Sequence, residues 1–126
     1  VVWDMYFRQF LTRPLTGLGI GSSSLTSFSN LGDIIAPHND YLKLLVETGV
    51  CGFLAYLAAI FSFLNYSIKA YRKNTDRRKK ILAAGLIAVI SSVLFLHLGE
   101  NVFYYDMVFT YFCLFLIVGY SLLKVG

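Results

Sequence analysis

The chain has 126 residues, of which 57% are hydrophobic and only 14% charged, and its mean hydropathy is +0.66. Soluble domains carry about 25% charged residues, so the composition excludes an ordinary water-solvated globule and indicates an integral membrane protein. The net charge of +4 does not mark a nucleic-acid surface, because six of the eleven basic residues crowd one segment (Arg72, Lys73, Arg77, Arg78, Lys79, Lys80) without interleaved aromatics to stack bases.

The first predicted element is a helix over Val2 to Arg13. Trp3, Tyr6, Phe7, Phe10 and Leu11 recur at helical spacing, with Asp4, Arg8 and Thr12 on the other face. At about a dozen residues it is too short to span a bilayer. It is expected to lie along the interface, apolar side down, with Asp4 and Arg8 paired one turn apart. Pro14 ends it. Gly17, Gly19 and Gly21 then supply turn chemistry, and a Ser-rich loop follows as far as Ala36. This glycine run lacks the Lys and Ser/Thr of a phosphate-binding P-loop, and its third glycine falls one position early for a dinucleotide fingerprint. It reads as a tight turn re-entering the interface, or alternatively as a backbone cradle for a lipid phosphate.

Pro37 biases Ala36 away from helix. Asn39 or Asp40 can cap a short helix whose buried face is Tyr41, Leu42, Leu45 and Val46. Gly49 and Gly52 permit close backbone packing where that helix feeds the first apolar span. Three spans follow: about Val50 to Ile68, Ile81 to Leu98 with His97 at its far end, and Met107 to Leu123 with Lys124 closing it. Each can cross a hydrocarbon core of about 30 Å. Cys51 and Cys113 fall inside these apolar stretches and read as small buried apolar residues, with no zinc-type spacing around them.

The basic loop 71–80 is expected to face the cytoplasm. Residues 1–47 and the loop His97 to Asp106 then share the extracytoplasmic side, where six of the seven acidic residues lie. The fold class is therefore an all-α membrane protein: an interfacial amphipathic helix, an extracytoplasmic loop with a short helix, then three transmembrane helices. Two regions are expected, 1–47 carrying the His38-Asn39 pair and 48–126 carrying the spans. Because residue 1 is Val and no leader pattern follows, the chain is expected to be a carboxy-terminal piece of a longer multi-pass protein, not active alone.

Several side chains could carry chemistry. His38 stands in a polar loop beside a membrane-entering helix, and its imidazole can be neutral near pH 7; it reads either as a solvated loop residue or as a base. Arg8 and Arg13, on the same expected side, can grip phosphate bidentately or simply snorkel at the interface. His97, Glu100, Asn101 and Asp106 gather at the outer loop. They read as surface or structural residues, or Glu100 orients an imidazole or a sugar hydroxyl.

The run Pro14-Leu15-x-Gly17-x-Gly19-x-Gly21, followed by His38-Asn39-x-Tyr41-Leu42-x-x-Leu45-x-Glu47-x-Gly49-x-x-Gly52, resembles the O-antigen ligase and O-antigen polymerase family. Trp3 is similar to a tryptophan that family often has about a dozen residues before the Pro-Leu-x-Gly element, and His97-Leu98-Gly99-Glu100-Asn101 resembles a late His/Glu/Asn element. The resemblance is strong from Pro14 to Gly52 and weak in the last two spans. The family usually has an arginine just upstream of that tryptophan, ahead of Val1 here, and more helices with further arginines.

What the resemblance implies is a GT-C type glycosyltransferase of the bacterial cytoplasmic membrane, with its active site on the extracytoplasmic face. It would move a glycan from undecaprenyl pyrophosphate to lipid A–core, to another repeat unit, or in relatives to a protein hydroxyl, with inversion and with no metal or other cofactor. Carried onto this sequence, His38 is the catalytic base, and Arg8, Arg13, Asn39, Tyr41 and Glu100 contact substrate. The expected partners are the lipid-linked glycan, its acceptor and membrane lipids, and not nucleic acid. Two other classes stay open: a transporter or flippase of lipid-linked glycans using His97, Glu100 and Asp106 as a proton relay, and a structural assembly subunit packed through Gly49 and Gly52.

Overall fold

The structure is a computed structural model describing residues 2–23, 37–100, 102 and 106–124. Among them four helices and no strand occur: α1 (Val2–Thr12), α2 (Asp40–Lys73), α3 (Arg77–Leu96) and α4 (Asp106–Lys124). Helices α2, α3 and α4 are long and apolar enough to cross a membrane, so the chain is an all-α membrane protein. The Ser-rich loop beyond Ser23, Asn101 and the side chain of Asp106 lie outside the described residues.

Two compact units are present, one comprising Val1–Leu57 with Leu96–Asn101 and the other Ala58–Phe95 with Val102–Gly126. In the first unit, α1 buries Tyr6 and Gln9 and leaves Trp3, Phe7 and Leu11 exposed. Its protein-facing strip thus runs beside the apolar stripe rather than along it. With Leu15 and the 90% exposed Ile20, the stripe presents a set of large apolar side chains outward. That arrangement suits a helix seated in a lipid interface. On the polar face Arg8 Nε meets Asp4 Oδ2 at 3.0 Å, the pairing the spacing predicts.

Asn39 starts α2: its Oδ1 accepts from the Leu42 amide at 2.9 Å, an N-cap bond. The helix is interrupted at Gly49 (φ 66°, ψ −173°), which separates the expected short helix from the expected span. An uninterrupted helix would pair Val50 N–H with Val46 C=O and Cys51 N–H with Glu47 C=O. Instead these four groups meet the segment after α1. Val50 and Cys51 amides donate to Pro14 and Leu15 carbonyls at 2.8 and 3.2 Å, while Leu18 and Gly19 amides donate to Val46 and Glu47 carbonyls, both at 2.9 Å. A buried unpaired backbone group costs about 1–3 kcal/mol, so a break at this point is tolerable because the Pro14–Gly19 segment satisfies it.

That clasp explains the two glycines at its centre. Gly17 and Gly49 both have positive φ, and a Cβ on Gly17 would strike the backbone of Glu47 and Thr48, while one on Gly49 would strike Leu15 and Gly17. Gly52, expected to share this packing, instead makes room for the Thr48 side chain one turn earlier.

In the second unit, Asn74 closes α2 by returning its amide and its side chain to Ala70 C=O. Asp76 opens α3 by accepting from Arg78 N–H at 2.9 Å. Ala83, Leu86, Ile90 and Val93 form the buried stripe of α3. Phe112, Leu116 and Leu123 of α4 are also buried, and Gly119 lets α4 approach so closely that a Cβ there would lie 2.7 Å from Leu86 Cδ2. Tyr120 packs at a tilt against Tyr66, with ring centroids 4.7 Å apart, and meets Phe63 edge-on at 6.2 Å. Cys51 and Cys113 depart from expectation: Cys51 is exposed and Cys113 half-buried. An apolar residue on a spanning helix has two apolar destinations, protein or lipid, and hydropathy does not choose between them.

Candidate active site

The loop that enters α2 is held on both sides of His38. Trp3 Nε1 donates to Pro37 C=O at 2.9 Å, fixing the residue before it. Asn39 Nδ2 donates to Leu98 C=O at 3.1 Å, fixing the residue after it. Asp40 N–H donates to His97 C=O at 3.0 Å. Between these ties His38 has φ 48°, the only non-glycine residue with positive φ among the described residues, and its side chain is exposed. Left-handed backbone is uncommon for a side chain of this size, and such conformations cluster at functional sites.

Directly behind the loop, three polar side chains meet. His97 Nδ1 lies 2.7 Å from Asp40 Oδ2 and His97 Nε2 lies 2.7 Å from the Tyr56 hydroxyl. Both Asp40 and His97 are 0% exposed. With the carboxylate ionised, Nδ1 carries a proton and donates it; in the neutral ring Nε2 accepts from the phenol. The imidazole is enclosed edge-to-face by Tyr41 at 5.6 Å and Tyr56 at 5.9 Å. A second buried polar pair lies at the clasp, where Ser23 Oγ donates to Glu47 Oε1.

The six residues to which the resemblance gives a role (His38, Arg8, Arg13, Asn39, Tyr41 and Glu100) all fall in this first unit, and of the other outer-loop candidates His97 also does. His38, Asn39 and Tyr41 are consecutive or nearly so at the start of α2, but they play different parts. His38 faces outward. Asn39 spends its carbonyl on the helix cap and its amide on Leu98. Tyr41 packs on His97 and, at 6.1 Å, on Phe53. Arg8 and Arg13 are exposed on α1 and its terminal turn, Arg8 beside Asp4. Glu100 is exposed, its amide bonded to Leu96 C=O in the turn that ends α3. Gln9 is only 8% exposed, and neither end of its amide has a partner among the described residues. Among the described residues no group of three or more His, Cys, Asp or Glu side chains could hold a metal ion.

From the sequence Asp40 reads only as a cap, His97 as an outer-loop residue or part of a proton relay but not as a partner of Asp40, and Tyr56 inside a span carries no assignment. Their meeting depends on where α3 returns its end, which no local pattern encodes. One signal was present: a histidine at the end of one apolar run and a tyrosine inside another, each needing a polar partner if buried.

The chemistry open to this arrangement is a division of labour. An exposed imidazole can reach a substrate proton, whereas the enclosed one can only hold its neighbours. No curated protein and no solved structure matches the chain. A family model described as O-antigen ligase matches residues 1–57, the stretch containing α1, the glycine clasp, His38 and the first turns of the span. The match supports a role in glycan transfer during surface polysaccharide synthesis, and it makes residues 1–57 of this membrane protein similar to the O-antigen ligase family.

Proposed function

We propose that this chain is the acceptor-activating part of a membrane glycosyltransferase that uses a polyprenyl-pyrophosphate donor, undecaprenyl pyrophosphate in bacteria, at the extracytoplasmic face of the cytoplasmic membrane. The observation that carries the reading is His38: exposed, in left-handed backbone, and tied on either side by Trp3 and Asn39. An acceptor sugar hydroxyl attacks the anomeric carbon as the bond from that carbon to the pyrophosphate oxygen breaks. His38 takes the hydroxyl proton, a role worth about 10²–10⁴-fold. Attack opposite the leaving group inverts the anomeric centre.

The departing pyrophosphate gains negative charge. Arg8 on α1 and Arg13 just beyond its end, both exposed and in the same unit as His38, are the cations we assign to it. Guanidinium groups meet phosphate oxygens in pairs, and no metal is called on. Glu100 and Tyr41 flank the acceptor side, and Asn39 acts by holding the loop. Lipid A–core and a glycan repeat unit are both suitable acceptors, since each offers a hydroxyl tethered near the membrane. Holding two lipid-tethered reactants in line supplies further acceleration.

The test is transfer by the full-length protein from a defined lipid-linked glycan to either acceptor. His38→Ala is expected to reduce turnover by about 10²-fold or more. Undiminished turnover would remove His38 from the chemistry.

A further inference from the structure

We infer that His97 is a strut between the two halves of α2, and that Asp40, His97 and Tyr56 together are positioning residues for His38; the inference rests on the reading of His38 as the base. Asp40 precedes the Gly49 interruption and Tyr56 follows it. Each bonds the same imidazole at 2.7 Å, through ring nitrogens that point in different directions. The ring is flat and rigid, so these two contacts fix the separation of the two halves. Glycine alone does not, because its backbone is permissive.

The same histidine reaches the His38 loop by backbone. Asp40 N–H donates to His97 C=O, and Asn39 Nδ2 donates to the next carbonyl, that of Leu98. Residues 39–40 are therefore tied to residues 97–98 by three bonds, two from Asp40 and one from Asn39. Any shift of the His97 ring moves the residues that follow His38 in the chain. Neither Asp40 nor His97 has surface from which to touch a substrate. A buried carboxylate–imidazole contact is weak support for stability, since well-packed apolar residues often serve as well. What directional bonds add is a defined geometry.

The experiment compares His38→Ala, Asp40→Asn and Tyr56→Phe in the full-length protein, measuring kcat and KM per folded molecule and the pH dependence of kcat/KM. Asp40→Asn is expected to lower kcat by about tenfold to a hundredfold, the scale of a small misplacement of a reacting group. Tyr56→Phe, which deletes one hydroxyl, is expected to lower kcat by about threefold or more by the same effect. KM should hold within about twofold in both. The acid limb of the pH profile should keep its place, because the base is still His38. If Asp40→Asn does not fold, Tyr56→Phe alone decides. Wild-type kcat in the folded variants overturns the inference, as does an acid limb displaced in either, which would make His97 itself the base. Should His38→Ala retain wild-type turnover, the underlying reading falls whatever the other variants do. With His38→Ala inactive and the others normal, only the strut falls.

Discussion

Each of the two compact units is stabilised internally by a different kind of force. In the first, the backbone of one segment repairs the broken helix of another through four bonds, and a buried carboxylate and imidazole with a half-buried phenol lie behind the loop. In the second, the described contacts are mostly of shape: a glycine against Leu86, an aromatic group around Tyr120, a leucine and isoleucine stripe. Hydrogen bonds specify direction as well as distance. Van der Waals packing between lipid-immersed helices tolerates sliding and substitution of similar volume. The comparison suggests that accuracy is concentrated where we propose chemistry, and that the remaining helices supply an anchor.

Glycine-to-alanine substitutions put that contrast to its hardest test. Gly17→Ala and Gly49→Ala each drive a Cβ into backbone, in a conformation already unfavourable for L-residues. The clasp can relieve this only by separating, which forfeits four bonds at about 1 kcal/mol each. We expect a loss near 4 kcal/mol, read as a fall in thermal midpoint in detergent and as rapid hydrogen exchange at Val50 and Cys51. Gly85 on α3 has open space where its Cβ would be. There the same substitution should stabilise by about 0.5–1 kcal/mol, since alanine is the better helix former. Equal effects at Gly49 and Gly85 would erase the distinction between the units.

Within the second unit the sharpest packing point is Gly119. Gly119→Val places branched carbon against the Leu86 side chain, whose terminal methyl can move aside only partly. A cost of about 1–3 kcal/mol is expected, measured by the same unfolding experiment. It should leave protection at Val50 and Cys51 intact. A change there would mean that the clasp depends on the α3–α4 contact.

The same contrast decides what could be read in advance. Helical periodicity, length and charge-free runs located α1 and the three long helices, because each is a local property of neighbouring residues, whereas Gly49 read only as a point of close packing and its break was not legible. Cap chemistry at Asn39 and the Asp4–Arg8 pair were legible for the same reason. Contacts between distant residues were not. Asp40 and His97 are joined only once α3 has returned, and Ser23 with Glu47 only once the Gly17 turn has folded onto α2. The motif around His38 was visible as a motif, but its left-handed backbone and its ties to Pro37 and Leu98 depend on tertiary bonds. Burial was legible in the first unit's Val46 and misjudged at Cys51, where lipid and protein offer the same solvent to a thiol.

The smallest expected effect concerns the exposed polar face of α1. Arg8 and Asp4 form an i, i+4 pair whose side chains are mostly in solvent, so screening leaves it about 0.3–0.5 kcal/mol of stability. Asp4→Ala and Arg8→Ala should therefore be nearly indistinguishable in unfolding midpoint. They should differ in function. If Arg8 meets the pyrophosphate, Arg8→Ala raises KM for the lipid-linked donor by about tenfold, the equivalent of one charge-assisted hydrogen bond, and weakens its salt dependence. Asp4→Ala removes a competitor for the guanidinium and moves KM the other way or not at all. Equal KM in the two variants would return Arg8 to the role of an interfacial side chain and leave Arg13 as the remaining arginine of the first unit to assign to the leaving group.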